Sequence, residues 1–552
     1  LWGLSQENAR TTAKPDSISQ WVILPGYSRS HIQWGGGSQE ASPESASKWV
    51  VSVLSFLTKA IIPPLSFGNM LFSSIIFLFL FLPIVLSLYF LLPGIKPRNN
   101  WLIFASLFFY AWGEKFFVIA MLISIVGNYY LGLWVDRYKD KSRQILILAI
   151  VFNLGLLFVY KYLNFVVDNI NFSLGYFNLQ PVKLKVGHLP AGISFFTFHA
   201  LSYVIDIYQK TALVQKDLGK LTLYISFFPQ LIAGPIIRYH DIDTQLSERV
   251  VTTEDLAEGA RRFIIGLGKK VLIANVIAEP TDQVFMIPAS GLTPSLAWLG
   301  IIGYTLQIYF DFSGYSDMAI GLARMFGFHF LENFNYPYIS KSIREFWRRW
   351  HISLSNWFRD YLYIPLGGNR CSPIRNYFNL VTVFFLCGLW HGASWNFIIW
   401  GLFHGIFLVL ERLPVMSWID STWAPLRHGY ALLVIMIGWV FFRTETLDSA
   451  TNFLKAMFGY AQGDGSAYNI QMYLNPEVCL ILVLGIIGST PVFPFILKLR
   501  DKLLSSQPLK PYFNPLTGSF LVAGGAFLSF VFVVSVAKLA SGTYNPFIYF
   551  RF

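Results

Sequence analysis

The chain has 552 residues, 54% of them hydrophobic, 18% aromatic and only 13% charged, with a mean hydropathy of +0.50. That balance excludes an ordinary soluble globular domain and describes an integral membrane protein. The net charge of +12 does not argue for nucleic acid, because the basic residues sit mainly in short loops and amphipathic stretches, where anionic headgroups and the positive-inside rule account for them.

Residues 1–69 are rich in Ser, Gly and Pro and contain no methionine. They lack the basic start and early apolar core of a signal peptide, and only "WVVSVLSFLTKAII" is suited to touching a membrane. Met70 opens "MLFSSIIFLFLFLPIVLSLYFLLP", a first spanning helix by length and apolarity. The expectation is that translation starts at Met70 and that 1–69 is upstream sequence or a poorly ordered extension, with a genuine tail as the alternative.

Apolar runs then recur at 70–93, 100–113, 116–135, 144–163, 190–208, 221–237, 263–280 and 295–325. Further runs cover 377–391, 395–411, 429–442, 476–498 and 519–540. They are continuous, not alternating, so the fold class is all-α and polytopic, with about 11 to 13 spanning or re-entrant helices. The 295–325 run is long enough to bend or tilt. No internal repeat is visible. Lys96 and Arg98 follow the first span, and Arg137, Lys139, Lys141 and Arg143 follow the third; these loops are placed in the cytoplasm, which puts Met70 outside.

The central segment "SIREFWRRWHISLSNWFRDYLYIPLGGNR", Ser342 to Arg370, combines charge and tryptophan. On one helical projection Phe346, Trp350, Leu354, Trp357 and Tyr361 share a face and Arg344, Arg348, Ser355 and Arg359 lie around the other. This reads as an interfacial or re-entrant helix, with His351 near the border between faces. A plain headgroup anchor reads equally well.

His391, in "FFLCGLWHG", is flanked by Gly388 and Gly392. An ionisable ring at membrane depth is a functional candidate by default; its structural alternative is a neutral imidazole bonded to a backbone carbonyl. His404, in "WGLFHGIF", either lines the same cavity or, the preferred reading, packs or bonds to a neighbouring helix, and His199 reads as a packed ring. Asp311, Ser313 and Asp317, near Gly314, either shape a cavity or bond to backbone or Arg324. Cys371, Cys387 and Cys479 have no metal or disulfide spacing, and no histidine has a metal-ligand partner at a convincing distance in sequence.

"YFDFSGYSDMAIGLARMFGF", "ENFNYPYISKSIREFWRRWHISLSNWFRDYLYIPLGGNR" and "GLWHGASWNFIIWGLFHG", preceded by "LPAGISFFTFHALSYVIDIY" and "FFPQLIAGPIIRY", resemble in that order the membrane-bound O-acyltransferase family. The branch is the bacterial one that contains the alginate O-acetyltransferase membrane subunit and, more distantly, the D-alanyl transfer protein of teichoic acids. The resemblance spans Met70 to about Arg443, leaving a C-terminal loop and last spans over 444–552.

It implies a bundle around a central tunnel, in the bacterial inner membrane, that moves an acetyl group from a cytoplasmic thioester to an extracytoplasmic polysaccharide such as alginate. Acetyl-CoA or another acyl thioester is then the donor substrate and no cofactor is held permanently. The family's histidines fall on His391 and His351. A neutral imidazole suits removal of a proton from an attacking hydroxyl, so His391 is read as the general base and His351 as holding or polarising the donor carbonyl or relaying the proton. Arg344, Arg348 and Arg359 suit either coenzyme A phosphates or headgroups. Besides membrane lipids, a periplasmic or membrane-anchored partner that completes transfer is expected. A transporter of an activated acyl group or lipid, and an acyltransferase acting on a lipid, wall polymer or protein, stay open as alternatives.

Overall fold

The computed structural model describes residues 70–184, 187, 189–416, 421–460, 463, 465–505 and 515–548. The expectations about segment 1–69 lie outside the described residues. Among the described residues there is helix and no strand.

A π-helical turn at Phe77–Phe81 leads into α1 (Leu82–Leu91), followed by α2 (Ile95–Glu114) and α3 (Val118–Arg137). α4 (Ser142–Leu157) passes through a π-helical turn, Phe158–Tyr162, into α5 (Leu163–Tyr176), so the 144–163 run is the first part of a longer helix. α6 is Ile193–Gln209. The 221–237 run is not a span: α7 (Leu218–Ser226) stops at the extended Phe227, and α8 (Phe228–Leu231) is a single turn with Pro229 near its start, where a missing N–H costs nothing. α9 (Thr253–Gly268), a π-helical turn (Lys269–Ala274) and α10 (Asn275–Phe285) run on from one another, and α11 (Pro294–Met325) is one 32-residue helix.

The central segment departs from its single projection. It breaks into α12 (Ile343–Arg349) and α13 (Ile352–Phe358), because Trp350 is extended and His351 is left-handed at φ 45°. The five aromatic and aliphatic residues of the expected face are all buried nonetheless. His351 therefore sits in the break between two helices instead of on a face border. After it come α14 (Pro373–His391), α15 (Trp395–Leu410), α16 (Ala424–Arg443), α17 (Leu447–Met457), α18 (Pro476–Gly488), α19 (Val492–Ser505) and α20 (Pro515–Ala540).

Among the described residues, four helical stretches are long and apolar enough to cross a bilayer, or five if the pair α18 and α19, bent by 64°, is one span. The first of these stretches turns back on itself at Lys115, whose φ of 43° ends α2. The other helices are shorter, more polar or interrupted, which a membrane tolerates only where neighbouring protein satisfies the backbone. Helix placement follows that rule. α6 is buried on every side from Phe195 to Ile207 and α11 along most of its length, as expected of helices apolar all round. The outer elements expose Leu80, Phe104, Ile147, Val151, Leu521 and Phe530, a surface suited to lipid.

α9 and α11 cross on reciprocal glycines. A Cβ on Gly266 would lie 2.6 Å from the Gly314 carbonyl oxygen, and one on Gly321 would lie 2.5 Å from that of Gly259. Two glycines seven residues apart on each helix let the backbones touch, the small-residue packing that joins helices in lipid.

The C-terminal segment turns back into this bundle. Tyr544 donates to Asp282 Oδ2 (2.7 Å), Asn275 donates to Asn545 Oδ1 (3.0 Å), Lys270 donates to the Pro546 carbonyl, and the Ile548 N–H donates to Asp311 Oδ2 (3.0 Å). Lys270 and Asp311 also form a salt bridge at 2.6 Å, with 2% and 3% of their side chains exposed. Asp311 thus bonds to backbone and to Lys270, not to Arg324, which pairs with Asp255. Asp317 pairs with Lys269 (2.6 Å) and Arg262 (2.9 Å). Removing one partner of a buried pair strands the other charge, at about 3–5 kcal/mol. Lys270→Met is therefore expected to lower the thermal midpoint of the detergent-solubilised protein markedly, and Lys270→Met with Asp311→Leu to recover most of the loss. An unchanged midpoint for the single variant would contradict this.

Candidate functional site

The two histidines singled out in the sequence come from different elements. His391 is the last residue of α14, and the chain reverses through Gly392 to Ser394 into α15. The reversal is tight: a Cβ on Gly388 would stand 2.3 Å from the Phe397 carbonyl oxygen, and one on Gly401 2.2 Å from that of Phe384. His351 sits in the break before α13. Trp390 stands between them, 5.0 Å from the His391 ring and 6.3 Å from the His351 ring, centroid to centroid.

Their surroundings differ. The His351 ring is 1% exposed and lies edge-on to Phe312. Its Nδ1 is 3.1 Å from Asn333 Oδ1, which also receives the Ser353 backbone N–H (3.2 Å) and the Ser353 hydroxyl (2.9 Å). A backbone N–H can only donate, so the Asn333 atom is the oxygen. It follows that Nδ1 of His351 carries the hydrogen, and in the neutral ring Nε2 is left as a bare acceptor. Nε2 has no protein hydrogen-bond partner among the described residues. The second accepting oxygen of Asn333, its backbone carbonyl, takes the Ile352 N–H (2.9 Å). Asn333 therefore holds the break and the tautomer together.

His391 is packed between Trp400 and Phe442, both about 5 Å away by ring centroid. It lines a cavity of about 20 Å³, together with Phe312, Trp350, Trp439 and Ile548, enough for about one water. Phe442 and Ile548 are also in the wall of a larger cavity of about 700 Å³. That vestibule is bordered by the segment that leaves His391, Gly392 to Ser394, by Lys161, Arg443 and Glu445, and by apolar residues that include Phe285 and Phe397. His391 thus stands where a small aromatic-walled cavity meets a large one with mixed polar and apolar walls. The C-terminal turn, through Ile548, is part of both walls.

A third cavity, of about 240 Å³, combines Arg344, Arg348, Arg359 and Arg412 with an apolar floor that includes Trp347, Phe384 and Cys387. The ring of Trp347 is 5.7 Å from that of Trp400, so one layer of aromatic side chains separates this cleft from the cavity at His391. The helices fix which end it occupies. Asn99, at the start of α2, bonds to the Leu246 carbonyl and to Arg249. Arg238, in the connection leading to that loop, pairs with Asp360 beside Arg359. The arginine cleft is accordingly at the end of the basic loops, and α14 carries the chain from there to His391 near the vestibule.

His404 does not line the cavity. Its ring is fully buried against Trp347, Trp400 and Phe403, and a Cβ on Gly438 would meet it at 2.5 Å. His199 is likewise fully buried, packed 5.7 Å from Tyr224. Both behave as core aromatics. Ser313 lies buried on α11 without a hydrogen-bond partner among the described residues.

Three contributors escaped the sequence. Asn333 carried no signal in "LENFNYPY", and nothing local announces that Ile548 returns to α11. Lys161 did carry one: it is a cation inside the apolar run "LLFVYKYLNF", which is the pattern of a functional intramembrane residue.

The membrane-bound O-acyltransferase family model matches residues 188–445, a span that holds both histidines, Asn333 and the arginine cleft. The chain is 41% identical over 503 residues to a probable alginate O-acetylase of Azotobacter vinelandii, covering 88% of this chain and 100% of the relative. A probable alginate O-acetylase of Pseudomonas aeruginosa is 40% identical over 523 residues with the same coverage. A peptidoglycan O-acetyltransferase of Helicobacter pylori is 36% identical over 438 residues, 71% of this chain and 80% of the relative. With near full-length relatives at this identity and with its multi-pass helical architecture, the chain belongs to the membrane-bound O-acyltransferase family and is an O-acyltransferase.

Proposed function

We propose that this protein carries an acetyl group through the cytoplasmic membrane from a thioester to an exported polysaccharide, with His391 as the general base. The observation that carries the reading is the position of His391 beside a large vestibule and, across one aromatic layer, from a cleft of four arginines. The arginine cleft offers guanidinium groups around an apolar floor, the chemistry that holds a phosphate-bearing thioester such as acetyl-CoA. The vestibule offers charged and polar groups, among them Lys161, Arg443, Glu445 and Ser394, in a space wide enough for a hydroxyl-bearing acceptor. Relatives named for alginate and for peptidoglycan acetylation support a polysaccharide acceptor, alginate or a similar polymer. The basic loops support a cytoplasmic donor side.

In this reading the acceptor oxygen attacks the thioester carbonyl carbon while its proton passes to a neutral imidazole nitrogen of His391. The tetrahedral intermediate collapses with cleavage of the carbon–sulfur bond, and the thiolate leaves with the proton returned by the imidazolium. Tight aromatic walls around the ring keep water few, which limits hydrolysis of the thioester. The tautomer of His351 supports one of its expected roles over the other. With Nδ1–H committed to Asn333, its neutral ring presents only an acceptor. Polarising a carbonyl needs a donor, so His351 serves better by accepting a hydrogen bond from the acceptor hydroxyl or by relaying the proton. A partner on the outer face that completes transfer to the polymer fits the same reading.

Loss of a general base costs about 10²–10⁴ in rate. His391→Gln is expected to reduce acetyl ester on the exported polymer to background in cells where the variant inserts at native abundance; unchanged ester would remove His391 from the chemistry. Replacing Arg344 and Arg348 together by Gln is expected to raise the KM for acetyl-CoA about tenfold in inside-out vesicles, with a smaller change in kcat. An unchanged KM would assign these arginines to lipid headgroups.

A further inference from the structure

α14 ends inside the protein, and its last carbonyls have no next turn to receive them. The Gly392 N–H takes the Gly388 carbonyl (3.2 Å), which leaves those of Leu389, Trp390 and His391. All three are met by two adjacent residues of another helix. Tyr162 donates its hydroxyl to the Leu389 carbonyl at 2.8 Å. Lys161 donates to the Trp390 carbonyl (2.5 Å), to the His391 carbonyl (3.1 Å) and to Ser194 Oγ (3.2 Å). Lys161 and Tyr162 lie in the π-helical turn Phe158–Tyr162 between α4 and α5, the local widening that often marks a functional position.

We infer that Lys161 is a positioning residue for His391, acting as a charged cap supplied from outside the helix it terminates. An ammonium has three hydrogens, and all three are used here, so Lys161 has none left to bind an acyl oxygen directly. Its effect passes through the backbone of His391. By holding that carbonyl, Lys161 fixes where α14 stops and where the chain turns through Gly392, and thus which cavity the imidazole faces. The positive charge also complements the negative end of the helix dipole. No carboxylate is within salt-bridge distance of Lys161 among the described residues; its partners are carbonyls and a hydroxyl. This assignment rests on His391 acting in the acyl transfer.

The test compares Lys161→Met, which keeps the stem and loses the donors, Lys161→Arg, which keeps the charge and donors, and His391→Gln, in cells making the exported polymer. Acetyl ester is read per inserted molecule. The expected result is at least a tenfold loss for Lys161→Met and recovery to within threefold of native for Lys161→Arg. Native ester per inserted molecule in Lys161→Met overturns the inference, and so does a loss wholly explained by lower abundance, which would make Lys161 a folding residue. If Lys161→Met fails to insert, Tyr162→Phe decides, since it removes one cap without touching the charge: a several-fold loss per inserted molecule supports the capping role and native output overturns it. Ester retained in His391→Gln overturns the His391 assignment instead, whatever Lys161→Met does.

Discussion

A helix that ends within a membrane protein must find partners for its final carbonyls, because lipid supplies none. α14 ends in this way at His391, and the rest of the site is arranged around that ending. Glycines at 388 and 401 let α15 fold back against α14 at backbone contact, and the π-helical turn between α4 and α5 delivers the lysine and tyrosine that take the free carbonyls. What results is a histidine at a helix terminus, held at its backbone and open at its ring to a cavity.

The same economy of polar groups appears elsewhere in the core. Lys270 and Asp311 neutralise one another and also hold the backbone of the C-terminal turn. Arg262 and Lys269 share Asp317. Asn333 uses one side-chain oxygen to fix a helix break and a histidine tautomer. In each case a polar group that would be costly alone is satisfied by elements distant in sequence, which is why helices too short or too polar to span a bilayer alone are stable in the interior.

This also explains what could be read in advance. The all-α class, the helix positions and the prominence of His391 and His351 follow from continuous apolar runs and from ionisable residues placed where they are expensive, both local properties. The break at His351 was hidden because Phe346, Trp350, Leu354, Trp357 and Tyr361 keep a helical spacing across it; their burial is shared by α12, the break itself, α13 and the π-helical turn Arg359–Tyr363 that follows, instead of one face. Partners were hidden because they are long-range: Asp311 is met by Lys270 and by Ile548, and Arg324 by Asp255 in place of the nearby aspartates. Lys161 was visible as a misplaced cation, but its role depends on the end of a helix more than two hundred residues away in sequence.

In the proposed reading transfer is directional: the thioester enters the arginine cleft at the end of the basic loops, His391 lies beyond an aromatic layer, and the acceptor enters the vestibule on the other side. Acetyl-labelled coenzyme A can be supplied to sealed native membrane vesicles of known orientation, inside-out or right-side-out, and the label followed into ester on the polymer. Labelling is expected when the thioester reaches the face bearing Lys96, Arg98 and Arg137, and none when it reaches the vestibule face alone. Equal labelling from both faces would contradict that reading.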